Sequence, residues 1–180
     1  KAGPAHAMGV IAGPQSGGLL FVDHDGISAG EVLESIGAPS RTLPKSWAVT
    51  SGRNGRFQII YTVPDQYWDQ IKTRKIKSGK YDEDGNVEQL ELRWTGCQSV
   101  VAGSHPLTGS YRWLKGRAPT DLPLAEAPLA LIEQMLQLPT PEPTPLLPAP
   151  ISRRTERTDK DWALIYLDAL NPLRANDYDE

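Results

Sequence analysis

Asp23 and Asp25 end an unbroken apolar run, Leu19-Leu20-Phe21-Val22, and Gly26 follows them directly. A buried strand that stops at a glycine turn in this way holds its last side chains out into a cleft. Because strand side chains alternate, Asp23 and Asp25 share one face while His24 takes the other. Two adjacent carboxylates repel each other unless a cation joins them. An all-oxygen pair suits a hard divalent ion, Mg²⁺ or Mn²⁺. The bland alternative is a turn cap, a common use of Asp before Gly.

Alternation brings further candidates to the same chemistry. In the run Val87–Trp94, Glu88, Leu90, Leu92 and Trp94 fall on one face and Gln89, Glu91 and Arg93 on the other. In Arg56–Val63 the apolar face is Phe57, Ile59, Tyr61 and Val63, and the opposite face begins with Arg56 and Gln58. These faces suggest one constellation: Asp23, Asp25 and Glu91 around metal, with Arg56, Gln58 and Arg93 meeting a polyanionic substrate. Ions held this way lower the pKa of an attacking hydroxyl and stabilise a leaving pyrophosphate in an in-line displacement. Nucleotidyl transfer is the reaction this layout serves best. Taken alone, Glu91 reads equally as a solvated strand residue.

The elements that must position these residues occupy the first of three zones. Strands are expected at about Met8–Ala12, Gly18–His24, Trp47–Thr50, Arg56–Val63, Val87–Trp94, Cys97–Ala102 and Tyr111–Leu114, with helices at Ala29–Ile36 and Pro64–Ile71. Ala125 to Gln137 reads as one more helix, packed by Leu129, Ile132 and Leu136. From Pro139 to Pro150 every second or third residue is proline, which removes backbone donors and forbids a regular helix. Beyond it, Trp162, Ile165, Tyr166 and Ala169 have helical spacing. The expected organisation is an α+β catalytic core over 1–137 on a mixed sheet with flanking helices, a linker over 138–157, and the start of a helical accessory domain over 158–180.

The bulk composition sets bounds. With 180 residues, 39% hydrophobic and 23% charged, the chain is long enough for one packed domain and a tail. A lone Cys97 excludes an internal disulfide, and no apolar stretch has the length of a membrane span or the plan of a signal peptide. A reduced, cytoplasmic setting without membrane contact is the expectation. The formal net charge of -3 gives no global attraction to nucleic acid, so binding there depends on local basic patches.

At this point the motifs resemble a family. Gly9 to Gly26, ending Leu-Leu-Phe-Val-Asp-His-Asp-Gly, is similar to the first motif of the archaeo-eukaryotic primase superfamily, in the bifunctional primase-polymerase (prim-pol) branch of plasmids, phages and cyanobacterial replicons. The resemblance implies that Asp23 and Asp25 bind catalytic metal. Gln89-Leu-Glu-Leu-Arg-Trp94 resembles the third motif, whose acidic residue matches Glu91. Ser51-Gly-Arg-Asn-Gly-Arg-Phe-Gln58 resembles the second, where a histidine contacts the incoming triphosphate. This chain has no histidine there. Gln58 is the stand-in, with Arg53 and Arg56 supplying the charge that an amide lacks. Gly103-Ser-His-Pro-Leu-Thr-Gly-Ser-Tyr-Arg-Trp113 looks like the loop and strand after the third motif, which implies Ser104, His105 and Tyr111 near the nucleotide. A His before Pro also reads as a plain turn residue.

The resemblance spans roughly Gly9 to Trp113, and the segment from Asp161 is similar to the small helical domain that often follows. It implies an RRM-like primase core and template-directed transfer that makes or extends primers. The implied partners are single-stranded or primed DNA, ribo- or deoxyribonucleoside triphosphates, and a helicase domain or subunit placed C-terminally. Such cores carry more chain ahead of the first motif than is present here, so the sequence is expected to be a piece of a longer protein.

Weaker signals remain. Lys72, Arg74, Lys75, Lys77 and Lys80 precede the acidic turn Asp82-Glu-Asp-Gly85 and read either as a template-phosphate track or as a solvated hairpin arm. Tyr67, Trp68 and Trp94 are available for base stacking or for the core. Gly13 to Gly18 lacks the Lys-Ser/Thr of a phosphate-binding loop and leads into a strand, which excludes a nucleotide-hydrolysing motor in this segment. A strand ending Asp-x-Asp-Gly also resembles the nucleophile loop of haloacid-dehalogenase-type phosphatases, which requires further parallel strands with helices between them. A third alternative is a non-catalytic primase-like module that binds nucleic acid.

Overall fold

The computed structural model describes residues 6–136, all within one unit of the chain, Lys1–Pro139. The linker and accessory helix expected over 138–157 and 158–180 lie outside the described residues. Eight strands form one sheet: β1 (Ala7–Ile11), β2 (Leu19–Asp25), β3 (Trp47–Thr50), β4 (Arg56–Thr62), β5 (Arg74–Tyr81), β6 (Val87–Arg93), β7 (Gln98–His105) and β8 (Gly109–Trp113). Their order is β1-β7-β8-β3-β4-β2-β6-β5. Two short helices, α1 (Ala29–Ser35) and α2 (Leu129–Met135), complete an α+β domain.

Every ladder is antiparallel. The sheet is therefore not the mixed one expected, and the parallel pairing among the described residues is the isolated bridge Thr62–Glu126. That architecture also removes the phosphatase alternative, which needs a parallel sheet with helices between its strands.

One face of the sheet is covered by both helices. Leu20 and Val22 of β2, Ile59 and Tyr61 of β4, and Leu90 and Leu92 of β6 pack there against Val32 and Leu33 of α1 and Leu131, Ile132 and Met135 of α2. The other face has a smaller apolar cluster built on Phe21, Val49, Ile60 and Val101. Along β2 this second face changes from Phe21 to Asp23 and Asp25, so it is apolar at one end and acidic at the other. Alternation, read from the sequence, places the side chains of β2, β4 and β6 on the faces observed.

Two expected helices are shortened for local reasons. Between Pro64 and Ile71 only Asp65–Tyr67 winds, as a single 3-10 turn. The segment then has to straighten: Ile71, buried, bridges to Leu136, and β5 begins at Arg74. Trp68 instead anchors back, its indole N–H donating to Val63 O at 2.8 Å. The helix expected from Ala125 starts only after Pro128. Proline disfavours helical geometry in the residue before it, and the preceding residues pair with the end of β4 through Thr62 N–H to Ala125 O (2.9 Å) and Ala127 N–H to Thr62 O (2.8 Å). Leu129, expected in the core, is 54% exposed, while Leu131, Ile132 and Met135 are buried. Tyr67 and Trp68 pack at the core's edge and Trp94 lies within it, so none of the three is a stacking platform.

The loop after β2 depends on a residue that sequence patterning leaves unassigned. Glu88, from the helix-side face of β6, accepts hydrogen bonds from the N–H groups of Ile27 (3.1 Å) and Ser28 (2.8 Å) and from the Ser28 hydroxyl. It caps α1 from a neighbouring strand, satisfying donors that have no intrahelical partner. Those bonds hold its carboxyl below the ordinary carboxylate range, with the Ser28 hydroxyl contributing most. Gly26 has φ 122°, and any Cβ there would collide with the Glu88 side chain. Glycine therefore serves both the turn and the passage of Glu88.

Candidate functional site

β2 lies between β4 and β6, and register aligns the candidate residues in rows across the sheet. Asp23 stands opposite Gln58 on β4 and Glu91 on β6, and Lys75 of β5 stands opposite Glu91. In the next row Asp25 stands opposite Arg56 and Gln89, and Lys77 opposite Gln89. Cross-strand neighbours of this kind approach to about 5 Å at Cβ. The antiparallel ladder thus makes direct neighbours of residues that are far apart in the chain.

Charge in these rows is closely matched. Arg93 bonds Asp23 through Nη2 at 2.5 Å, Glu91 through Nε at 3.0 Å and Ser99 through Nη1 at 3.2 Å. Lys75 pairs with the other oxygen of Glu91 at 3.0 Å. Arg56 pairs with Asp25 and, at 2.7 Å, with Asp82. Asp23 is 9% exposed and Glu91 5%. Burial raises the Asp23 carboxyl above its ordinary range; Arg93 opposes this and Glu91 adds to it. A carboxylate under that strain gains from any further cation nearby.

Above the rows is a cleft of about 260 Å³. Asp23, Asp25, Arg53, Arg56, Gln58 and Arg93 line it, as do His105 and Tyr111 from the β7–β8 hairpin. Two ties hold its rim. The Thr108 hydroxyl donates to Ser51 O, joining the hairpin to the loop that carries Arg53. Gly55 packs so tightly that a Cβ would lie 2.7 Å from Ile27 N, which fixes that loop against the turn after Asp25. The Oε1 atom of Gln58 is buried without a hydrogen-bond partner. His105 Nδ1 accepts from the N–H groups of Leu107 and Thr108, both at 3.3 Å, and its ring meets Tyr111 edge-on with centroids 5.2 Å apart. Accepting at Nδ1 leaves the proton of the neutral ring on Nε2, a donor.

Several expected residues stand elsewhere. Ser104 is exposed, bonds His6 O through its backbone N–H, and is not part of the cleft wall. Glu91 lies beneath Arg93 and Lys75 rather than on the cleft surface. Pairing divides the basic run: Lys75 and Lys77 share the face of Glu91 and Gln89, whereas Arg74 is paired with Leu92 of the helix-side face. Lys72 donates its backbone N–H to Met135 O beside α2, and Lys80 pairs with Glu31 of α1 at 2.7 Å. A run of basic residues in a strand cannot act as one patch, because alternation sends its members to both faces. His24 faces away from the pair it separates, stacking on Phe57 at 4.1 Å between centroids.

Sequence reasoning missed Asp82 as the second partner of Arg56, and Ser51 and Gln98 in the cleft wall. Its acidic turn gave a signal for Asp82, but the contact depends on how the β5–β6 hairpin lies.

The carboxylates Asp23, Asp25 and Glu91 form an all-oxygen donor set, and a cationic guanidinium is already accommodated between Asp23 and Glu91. In chemistry they fit a hard divalent ion. In the described arrangement each is turned toward a side-chain cation, and among the described residues no three His, Cys, Asp or Glu side chains cluster closely enough to hold a metal.

An antiparallel α+β domain with a charged cleft built on strand interiors is the class that this fold and site define. The family model described as bifunctional DNA primase/polymerase, N-terminal, matches residues 1–130, and the chain belongs to that family. It is thus a primase/polymerase-type domain, a class whose substrates are DNA templates and nucleotides. No curated protein and no solved structure matches it. Among the described residues no helix is long and apolar enough to cross a membrane.

Proposed function

We propose that this domain catalyses template-directed nucleotidyl transfer, making or extending primers in the replication of a plasmid, phage or similar element. The observation that carries the reading is the row Gln58–Asp23–Glu91, flanked by Asp25 and Arg56 on the same face of one antiparallel sheet. In this reading the antiparallel sheet is an RRM-like primase core. Asp23, Asp25 and Glu91 would hold Mg²⁺ or Mn²⁺, which when bound activates the primer hydroxyl and offsets charge on the leaving pyrophosphate.

The chain's own residues do the rest. Arg53 and Arg56 bind the triphosphate by charge-assisted hydrogen bonds, and Gln58 offers its amide N–H to a phosphate oxygen. His105 donates from Nε2 at the rim, and Tyr111 supports its ring. Arg93 holds Asp23 and Glu91 in place by bonding both. Lys75 and Lys77 lie on the site's face of edge strand β5 and are the members of the basic run suited to template phosphates.

The test is incorporation of labelled nucleotide on a primed template with Mn²⁺, with Asp23→Ala alongside. Incorporation lost in the variant is the expected result. No incorporation by the unmodified chain, or equal incorporation by both, would sink the polymerase reading. DNA binding retained without incorporation at any metal concentration would instead assign the chain to the non-catalytic alternative.

A further inference from the structure

Arg56 is held from two sides by carboxylates on different elements. Asp25 at the end of β2 takes one terminal nitrogen, and Asp82 in the β5–β6 hairpin takes the other at 2.7 Å. The guanidinium is largely buried and contributes to the walls of two depressions, the 260 Å³ cleft and a neighbouring one of about 400 Å³ lined also by Arg53, Tyr81 and Asp82. With Arg53, which also lines both, it stands between them.

Asp82 is itself fixed. Its Oδ1 accepts the backbone N–H groups of Asp84 (3.1 Å) and Asn86 (2.8 Å), so the hairpin turn sets the carboxylate plane. Its Oδ2 is the oxygen that takes Arg56. Oδ1 thus makes the backbone bonds of the turn and Oδ2 takes the arginine, while the Asn86 side-chain amide donates to both at 3.3 Å.

The geometry points to Asp82 as a positioning residue for nucleotide binding. We infer that it anchors Arg56 through Nη2 while Asp25 takes Nη1, so that the guanidinium is fixed by both terminal nitrogens at the cleft wall and stays presented to the triphosphate. Without Asp82 the guanidinium keeps its tie to Asp25 but loses the second one, and is free to turn away from the triphosphate. The inference rests on the reading of Arg56 as a triphosphate contact. It adds that the β5–β6 hairpin, outside the three resembling motifs, sets nucleotide affinity.

The division between the two oxygens gives a clean variant. In Asp82→Asn the amide oxygen keeps the two backbone bonds of the turn, since an NH₂ group cannot accept them, and the NH₂ then faces Arg56 and the Asn86 side-chain amide, from neither of which it can accept a hydrogen bond. The experiment measures the Kd of a fluorescent deoxynucleoside triphosphate with Mg²⁺, KM and kcat on a primed template, and the melting temperature. The proteins are the unmodified chain, Asp82→Asn, Arg56→Gln and the double variant. Loss of one charge-assisted bond predicts a Kd and KM raised about five- to tenfold in Asp82→Asn, with kcat within about twofold and melting nearly unchanged. In the double variant no loss is expected beyond that of Arg56→Gln. Unchanged Kd in Asp82→Asn while Arg56→Gln weakens binding overturns the positioning role alone. Unchanged Kd in Arg56→Gln overturns the role of Arg56 and this inference with it.

Discussion

Asp23 on β2 and Glu91 on β6 are direct cross-strand partners, two buried carboxylates facing each other across one step of the sheet. Like charges so placed destabilise a sheet unless a cation intervenes. Arg93, two residues beyond Glu91 on the same face, supplies it by bonding both.

Replacing Arg93 should therefore expose the repulsion. Arg93→Met in the presence of a chelator is expected to lose about 2 to 4 kcal/mol of stability, since a largely buried pair loses its counter-charge. Millimolar Mn²⁺ should raise the melting temperature of the variant more than that of the unmodified chain. Denaturant unfolding with and without Mn²⁺ measures both quantities, and equal stability in chelator would show that Arg93 does not neutralise this pair.

Gln58 shares a row with Asp23 but carries no charge and leaves its Oε1 without a donor. Gln58→His places at this position the residue type that the resemblance to the second motif implies. The expected outcome is a KM for nucleotide lowered about threefold, the effect of one modest added interaction, with melting little altered. A raised KM in the incorporation assay would mean that the cleft is built around the amide.

The imidazole of His24, stacked on Phe57 with Nε2 unpartnered, is pushed by burial from 6.5 down to about 4. A group that resists protonation in the folded state takes up its proton first in the unfolded one. Its contribution is therefore complete above pH 6.5 and is lost as pH falls from there toward 4, a total of about 3 kcal/mol. Asp23, raised above its ordinary 3.8, acts with the opposite sign above that value. Comparing His24→Phe with the unmodified chain cancels it. Urea unfolding in chelator should give a steeper loss for the unmodified chain between pH 6.5 and 4. Parallel curves would remove His24 as the cause.

Glu88 and Gly26 form a single device, because the carboxylate reaches the start of α1 by passing where a Cβ at position 26 would be. Glu88→Ala is expected to lower the melting temperature by several degrees. Gly26→Ala should do the same by displacing the same cap, with added backbone strain from its positive φ. In the double variant the losses should fall short of their sum, as coupled positions do. Strict additivity in a thermal-unfolding cycle would separate the two effects.

Much of the fold was legible in local pattern. Trp47–Thr50 was readable to the residue and β1, β2, β4 and β6 to within about one residue at each end, whereas β7 runs on to His105, β8 begins at Gly109 and β5 had no expected bounds. What alternation cannot supply is a partner for a segment. The stretch 125–127 has helical composition yet pairs with β4, and Pro64–Ile71 yields to the start of β5. In both, a tertiary ladder overrode a weak local propensity. Arg74, Lys75 and Lys77 look alike in sequence and differ in place because pairing assigns each its face.

By itself the sequence determined which side chains share a face, since period-two alternation follows from backbone geometry alone. On that basis Asp23, Asp25, Glu91, Arg56 and Gln58 already belonged to the polar side of their strands, and the family motifs to the run from Gly9 to Trp113. Only the tertiary structure decided that β2 is inserted between β4 and β6 in the register that sets Asp23 against both Gln58 and Glu91. Strand order and register are fixed by burial of both faces at once and by how the hairpins close, quantities that no single segment carries. The same is true of Asp82, whose grip on Arg56 exists because the turn between β5 and β6 comes within reach of the start of β4.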